Sequence, residues 1–135
     1  MTDKTNNLYT FEEKMEAGRI YCRLLRMGED YQITVSGGIK PHIGTVVLAQ
    51  ARESLTGEGI SATSSVINVV GHKDEAVARN FAEKIAIAGR CTAVCSCGIH
   101  IDHATEMQLL QIKKITEHLL DKCLKKVDEA GSGSR

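Results

Sequence analysis

Apolar and polar residues alternate in two early segments of the chain. Over residues 19–26, Ile20, Cys22 and Leu24 alternate with Arg19, Tyr21 and Arg23; over residues 31–36, Tyr31, Ile33 and Val35 alternate with Gln32, Thr34 and Ser36. A period of two places each set on one face of a strand, so both segments are expected as strands with one wet face. The link Met27-Gly28-Glu29-Asp30 supplies a glycine for a tight turn, which makes the pair a hairpin. Residues 45–51 form a nearly continuous apolar run of strand length, expected as a central strand covered on both faces. Residues 63–70 read as a fourth strand, and four strands in succession favour antiparallel pairing.

A helical period follows. Val77, Phe81 and Ile85, broadened by Ala78, Ala82 and Ala88, share one face, with Asp74 placed as an N-cap and Gly89 as a stop. Residues 91–97 are short, small and apolar, and are expected as a fifth strand beneath helices. Thr105-Glu106-Met107-Gln108 has capping-box spacing, and Met107, Leu110, Ile115, Leu119 and Cys123 continue as a stripe to about Val127. Residues 1–18 show no convincing period and are expected as a flexible lead-in; residues 128–135, ending Gly131-Ser132-Gly133-Ser134-Arg135, have linker composition and are expected outside the fold. The reading is a single α+β domain over residues 19–127: an antiparallel-rich five-stranded sheet, in chain order ββββαβα, with two helices packed on one face.

Composition narrows the function. The 135 residues carry 17 Lys and Arg against 17 Asp and Glu, so no charge excess exists to hold a nucleic-acid backbone or an anionic membrane. Trp is absent and aromatics make up 4%, which leaves few rings for base stacking. No segment resembles a signal peptide or a membrane span, so a cytoplasmic protein with free, mostly buried thiols is expected from its five cysteines. An apolar stripe on the last helix wider than one sheet can cover points to a homo-oligomer.

Candidate chemistry falls in three glycine-containing loops. Gly37-Gly38-Ile39-Lys40-Pro41-His42-Ile43-Gly44 can bring backbone close to an anion or a flavin edge, with Lys40 to meet a phosphate. Gly71-His72-Lys73-Asp74 opens a helix, whose unpaired N–H groups and partial positive charge, joined by Lys73, suit a phosphate. Cys95-Ser96-Cys97-Gly98-Ile99-His100-Ile101-Asp102-His103 carries thiol, imidazole and carboxylate. Each loop could equally be a plain connection with hydrogen-bonded histidines. A structural zinc is disfavoured because Cys95 and Cys97 lack knuckle spacing, whereas a divalent metal on His42, His72 and His100 requires the three strand ends to converge. Cys95 or Cys97 beside His100 could form a thiolate nucleophile. The metal cluster would support a small hydrolase or lyase, and the loops alone an oligomeric binder of another small anion.

Taken together, the Met27-Gly28-Glu29-Asp30 turn, GGIKPHIG with the LAQ that continues it, GHKDE opening one helix and GIHIDHA opening the next resemble the prenylated-flavin chaperone-like family. That family includes the D subunits that accompany gallate and related hydroxyarylate decarboxylases. The resemblance spans roughly residues 19 to 110, in order and at compatible spacing. It implies a non-catalytic accessory protein that binds or delivers prenylated FMN, or FMN, for a large decarboxylase subunit. Carried over by motif, it assigns cofactor contact to Gly38, Lys40, His42, Gly71, His72, Lys73, His100 and Asp102. Two departures stand out: His103 occupies a position where an amide side chain is expected, and Cys95 with Cys97 make the preceding strand thiol-rich. Tyr31 is the nearest ring in sequence for stacking a flavin.

Overall fold

The computed structural model describes residues 7–69 and 73–133. Six strands and two helices follow one another as β1 (Leu8–Lys14), β2 (Arg19–Met27), β3 (Asp30–Gly38), β4 (Thr45–Glu53), β5 (Ile60–Asn68), α1 (Glu75–Gly89), β6 (Thr92–His100) and α2 (Glu106–Gly133). The α+β class holds, but the sheet has six strands, not five. The additional strand comes from the segment expected as a lead-in: Tyr9, Phe11 and Glu13 turn inward while Leu8, Thr10, Glu12 and Lys14 face outward. Its inner face is half-buried and partly ionic, so the hydrophobic alternation that marks a strand is diluted. Residues 1–6 lie outside the described residues. At the other end α2 runs past Val127 to Gly133, so residues 128–133 continue the helix.

The strand order is β1-β2-β3-β6-β4-β5. The β2–β3 hairpin forms as expected, with Met27 opposite Asp30 across a two-residue turn. The other neighbours are antiparallel, except that β6 inserts between β3 and β4 and runs parallel to β3. The crossover through α1 makes this possible, because a helix between β5 and β6 is long enough to return the chain to the sheet interior.

Pairing aligns the inner residues into rows. Tyr9, Leu24, Ile33, Cys95, Val47 and Val66 form one row across all six strands. Both helices cover that face: α1 lies over β3 to β6 and α2 over β1 and β2. Phe81, Ile85, Leu119 and Leu120 are the largest helical side chains sealed against it, each stabilising the fold by about 1.5–3 kcal/mol on burial. The opposite face carries no helix. The strand β4 alternates, with Val47 and Ala49 buried and Leu48 exposed, so it is covered on one face rather than two.

The helix ends are set by different chemistry. At α2 the capping box is complete: the Gln108 amide donates to Thr105 Oγ1 at 3.1 Å, and the Thr105 amide donates to Gln108 Oε1 at 2.9 Å. At α1 the left-handed residue that ends the helix is Arg90, one beyond the expected Gly89. Asp74 sits at the N-cap position yet makes no side-chain cap hydrogen bond. Its carboxylate is engaged elsewhere.

Candidate functional site

The sheet topology gathers the three loops at one end. Because β3 and β6 are parallel, with Gly38 beside His100, their C-terminal ends emerge together. The antiparallel β4 starts at the same end, with Thr45 paired to Cys97, and β5 finishes there, with Asn68 paired to Thr45. The loop after β3, the segment leading into α1 and the loop after β6 therefore share one edge.

Backbone bonds hold the first loop against β6 and against the residue that follows β5. Ile39 N–H donates to the His100 carbonyl at 2.9 Å, Gly44 N–H to the Cys97 carbonyl at 2.8 Å, and Val69 N–H to the Gly44 carbonyl at 2.9 Å. Gly98 permits this approach, since a Cβ there would overlap the carbonyl oxygen of His42. Gly38 is needed twice: its φ is +77°, and a Cβ would press into the carbonyl of His100.

That seating brings two imidazoles together. The rings of His42 and His100 lie 6.3 Å apart, edge to face, with an interplanar angle of 81°. His42 Nδ1 lies 3.0 Å from the Lys40 carbonyl, which can only accept, so Nδ1 carries the hydrogen. His42 Nε2 turns toward Asp74 Oδ2 at 3.7 Å. Asp74 Oδ1 in turn accepts the Ile99 amide at 3.2 Å. His100 Nε2 donates to Asp102 Oδ1 at 2.8 Å, which leaves Nδ1 as the acceptor of the neutral ring. The Lys40 carbonyl thus orients one imidazole and the Asp102 carboxylate the other, while Asp74 places a negative charge beside His42.

Beside His42, on the helix-free face of the sheet, lies a depression of about 260 Å³ lined by Thr34, Ser36, Pro41, His42, Ile43 and Ser96. Hydroxyls and an imidazole over an apolar floor are suited to the polar edge of a planar heterocycle. Lys40 and Lys73 are both exposed. Lys73, one residue before Asp74, borders the groove between α1 and α2 with Phe81 and Leu109.

Of the expected site residues, Gly38, Lys40, His42, His100 and Asp102 come together, Lys73 stands on the adjoining turn, and Gly71 and His72 lie outside the described residues. In sequence Asp74 reads only as a cap; its place as the last residue of Gly71-His72-Lys73-Asp74 is the available signal for a further role. Thr34, Ser36 and Ser96 are legible as wet-face positions but not as neighbours, since their strands meet only through the parallel β3–β6 pairing.

Three other expectations change. Tyr31 starts β3 at the end opposite Gly38, about 23 Å away at strand spacing, and is buried, so it stacks nothing in this site. Cys95 and Cys97 share one face, as their spacing requires, but that face is the sealed core; burial pushes both thiols well above the ordinary value, against a nucleophilic role. Among the described residues no three His, Cys, Asp or Glu side chains are placed to hold a metal, so the reading on His42, His72 and His100 gains no support from them. His103 adopts a φ of +50°, a left-handed conformation that asparagine tolerates better than most residues, which accounts for the expected amide.

The prenylated flavin chaperone LpdD-like domain matches residues 14–128 of this chain. The chain belongs to that family. It is 30% identical over 114 residues to Protein LpdD of Lactiplantibacillus plantarum, an alignment covering 82% of this chain and 78% of that protein. A chain in the crystal structure of a novel chaperone complex for yeast 20S proteasome assembly superposes with a TM-score of 0.56 at 12% identity, covering 90% of this chain and 98% of that one. At that identity the likeness concerns the fold alone. Membership of the LpdD-like family makes this protein a prenylated-flavin chaperone.

Proposed function

We propose that the chaperone holds its flavin at the shared end of β3, β6 and α1 and passes it to the large subunit of a non-oxidative aromatic-acid decarboxylase in the cytoplasm. The observation that carries this reading is the His42–His100 pair, its rings 6.3 Å apart, with His42 lining an open, mainly apolar depression edged by hydroxyls. His42 and His100 would hydrogen-bond the polar ring edge, the first oriented by the Lys40 carbonyl and the second by the Asp102 carboxylate, with Thr34, Ser36 and Ser96 offering hydroxyls beside His42. Lys40 and Lys73 would meet the phosphate, with Gly71 and His72 preceding Lys73 in sequence, and the glycine at 38 keeps backbone close. When bound, the prenylated flavin supplies the chemistry that its recipient enzyme uses; this chain contributes binding and orientation. The site lies open on the sheet, as release to a partner requires, and self-association through exposed apolar surface is compatible with it.

Thermal-shift titration of the purified protein with FMN, prenylated FMN and inorganic phosphate tests the placement. Prenylated FMN should stabilise the wild type, with the shift lost in His42→Ala and His100→Ala and reduced in Lys40→Ala. Equal stabilisation of the wild type and both histidine variants would put the flavin elsewhere on the protein. Stabilisation by phosphate alone would reduce the site to an anion seat.

A further inference from the structure

Remote from the loop cluster, two thiols meet in the core. Cys22 on β2 and Cys123 on α2 are free and fully buried, and their sulfurs stand 3.5 Å apart. They are separated by 101 residues, so one bond would join the second strand to the last helix. A disulfide needs the sulfurs at about 2.05 Å, a closure of about 1.5 Å. Around this pair α2 is seated by a buried stripe of Ile115, Leu119, Leu120 and Val127, and its rim adds contacts that are individually weak and reach solvent: His118 Nδ1 to Glu13 Oε1 at 2.6 Å, Lys122 over the ring of Phe11 and Lys126 over the ring of Tyr9. A reagent reaches sulfurs so placed only through local opening of the helix, and the buried sulfur pair sets where a permanent tie would fall.

We propose that Cys22 and Cys123 form a reversible redox staple, closed by a peroxide and opened by thiol reductants, that fixes α2 to β2. One sulfur, as thiolate, attacks a peroxide oxygen; the O–O bond breaks, leaving a sulfenic acid and one water. The other sulfur attacks the first, the S–O bond breaks, and the departing oxygen leaves as water with the remaining thiol's proton. The two sulfurs together lose two electrons and the peroxide gains them. Both sulfurs are sealed while α2 is seated, so reaction waits on transient lifting of the helix, and its rate levels off at high peroxide. This inference does not depend on the flavin site.

The test uses the full chain carrying Cys91→Ser, which removes the half-buried thiol that would compete. Hydrogen peroxide is added in increasing concentration, free thiols are blocked, and unreduced peptides are mapped by mass. The expected product is a Cys22–Cys123 peptide pair lighter by about 2 Da, opened by dithiothreitol, in a protein that melts about 5 °C or more above the reduced form. Adding Cys123→Ala should abolish both changes; should that variant not fold, the peptide map still decides. Pairing of either residue with Cys95 or Cys97, sulfinic acids without a cross-link, thiols left untouched, or a cross-link without the rise in melting temperature would each overturn the proposal.

Discussion

Asp74 ties the start of α1 to the end of β6 and faces His42 of the first loop: Oδ1 accepts the Ile99 amide at 3.2 Å while Oδ2 stands 3.7 Å from His42 Nε2. The residue holds the N-cap position but directs its carboxylate across the sheet end, and the first turn of α1 receives no side-chain cap from it. A position that ordinarily caps its own helix here bonds the end of β6 and sets a charge beside His42. That exchange is the kind of local inconsistency that marks a functional constraint.

Removing that carboxylate should therefore separate two effects. Asp74→Asn retains an oxygen for the Ile99 amide and should cost little stability. Asp74→Ala leaves the partly buried amide without its acceptor and should cost about 1–3 kcal/mol. Both variants lose the charge facing His42, and both should weaken prenylated-FMN stabilisation. Urea denaturation beside the flavin thermal shift checks this; equal stability of the Asn and Ala variants would show that the Ile99 bond carries no weight.

Gly98→Ala should be disproportionately damaging for one methyl group. The added carbon would occupy the space of the His42 carbonyl oxygen, so the loop must retreat from β6. A cost of about 1–3 kcal/mol is the usual scale of such overpacking, with loss of flavin stabilisation because His42 moves with its backbone. Ala substitution at the open Gly57, as a control, has no neighbour to displace, although its φ of +80° still imposes some strain.

Much of this fold is legible along the chain, and what is not has a physical cause. Period-two alternation locates β2 and β3, the Gly28 turn joins them, and Thr105 with Gln108 marks the start of α2, because each is a local signal. Pairing of β6 with β3 is not local: Ile33 and Cys95 become neighbours only after a crossover of some sixty residues, so the end where His42 meets His100 can be named from sequence as a requirement but not seen. Asp74 and Tyr31 show the two directions of error. Asp74 reads as a cap because its neighbours in sequence form a helix; Tyr31 reads as close to the site because it lies on the right strand, at the wrong end of it.

Deletion of residues 1–14 tests the segment whose order is least visible in the sequence. Tyr9 and Phe11 pack on the core, and Lys126 and Lys122 lie over their rings at 5.2 and 6.0 Å. Without β1, the edge of β2 and the inner face of α2 lose their cover. The truncated protein should melt at lower temperature and aggregate through the exposed β2 edge. Light scattering during a thermal ramp checks both; unchanged melting would mean that β1 is a passenger on the sheet.

The thiols predict how stability responds to alkali. Burial and the neighbouring carboxylate of Asp74 push the Cys97 thiol above its ordinary 9.0, and burial with the close approach of Cys97 and Cys123 raises Cys95 further. The half-buried Cys91, beside Asp30 and Glu29, is pushed up to about 11. Each is an acid whose folded pKa exceeds its unfolded one, so above pH 9 the unfolded chain releases protons that the native state retains. The unfolded state gains, and stability present below pH 9 is lost as pH rises toward the folded values, at about 1.4 kcal/mol per pH unit for each thiol in play. Urea midpoints should be nearly flat with respect to these groups between about pH 7 and 8.5 and fall between about pH 9 and 10.5. Cys97→Ala should flatten the alkaline fall even where it lowers stability at neutral pH, because the cavity it leaves does not titrate. An alkaline slope identical in the two proteins would remove Cys97 from the titration and assign the loss to other groups.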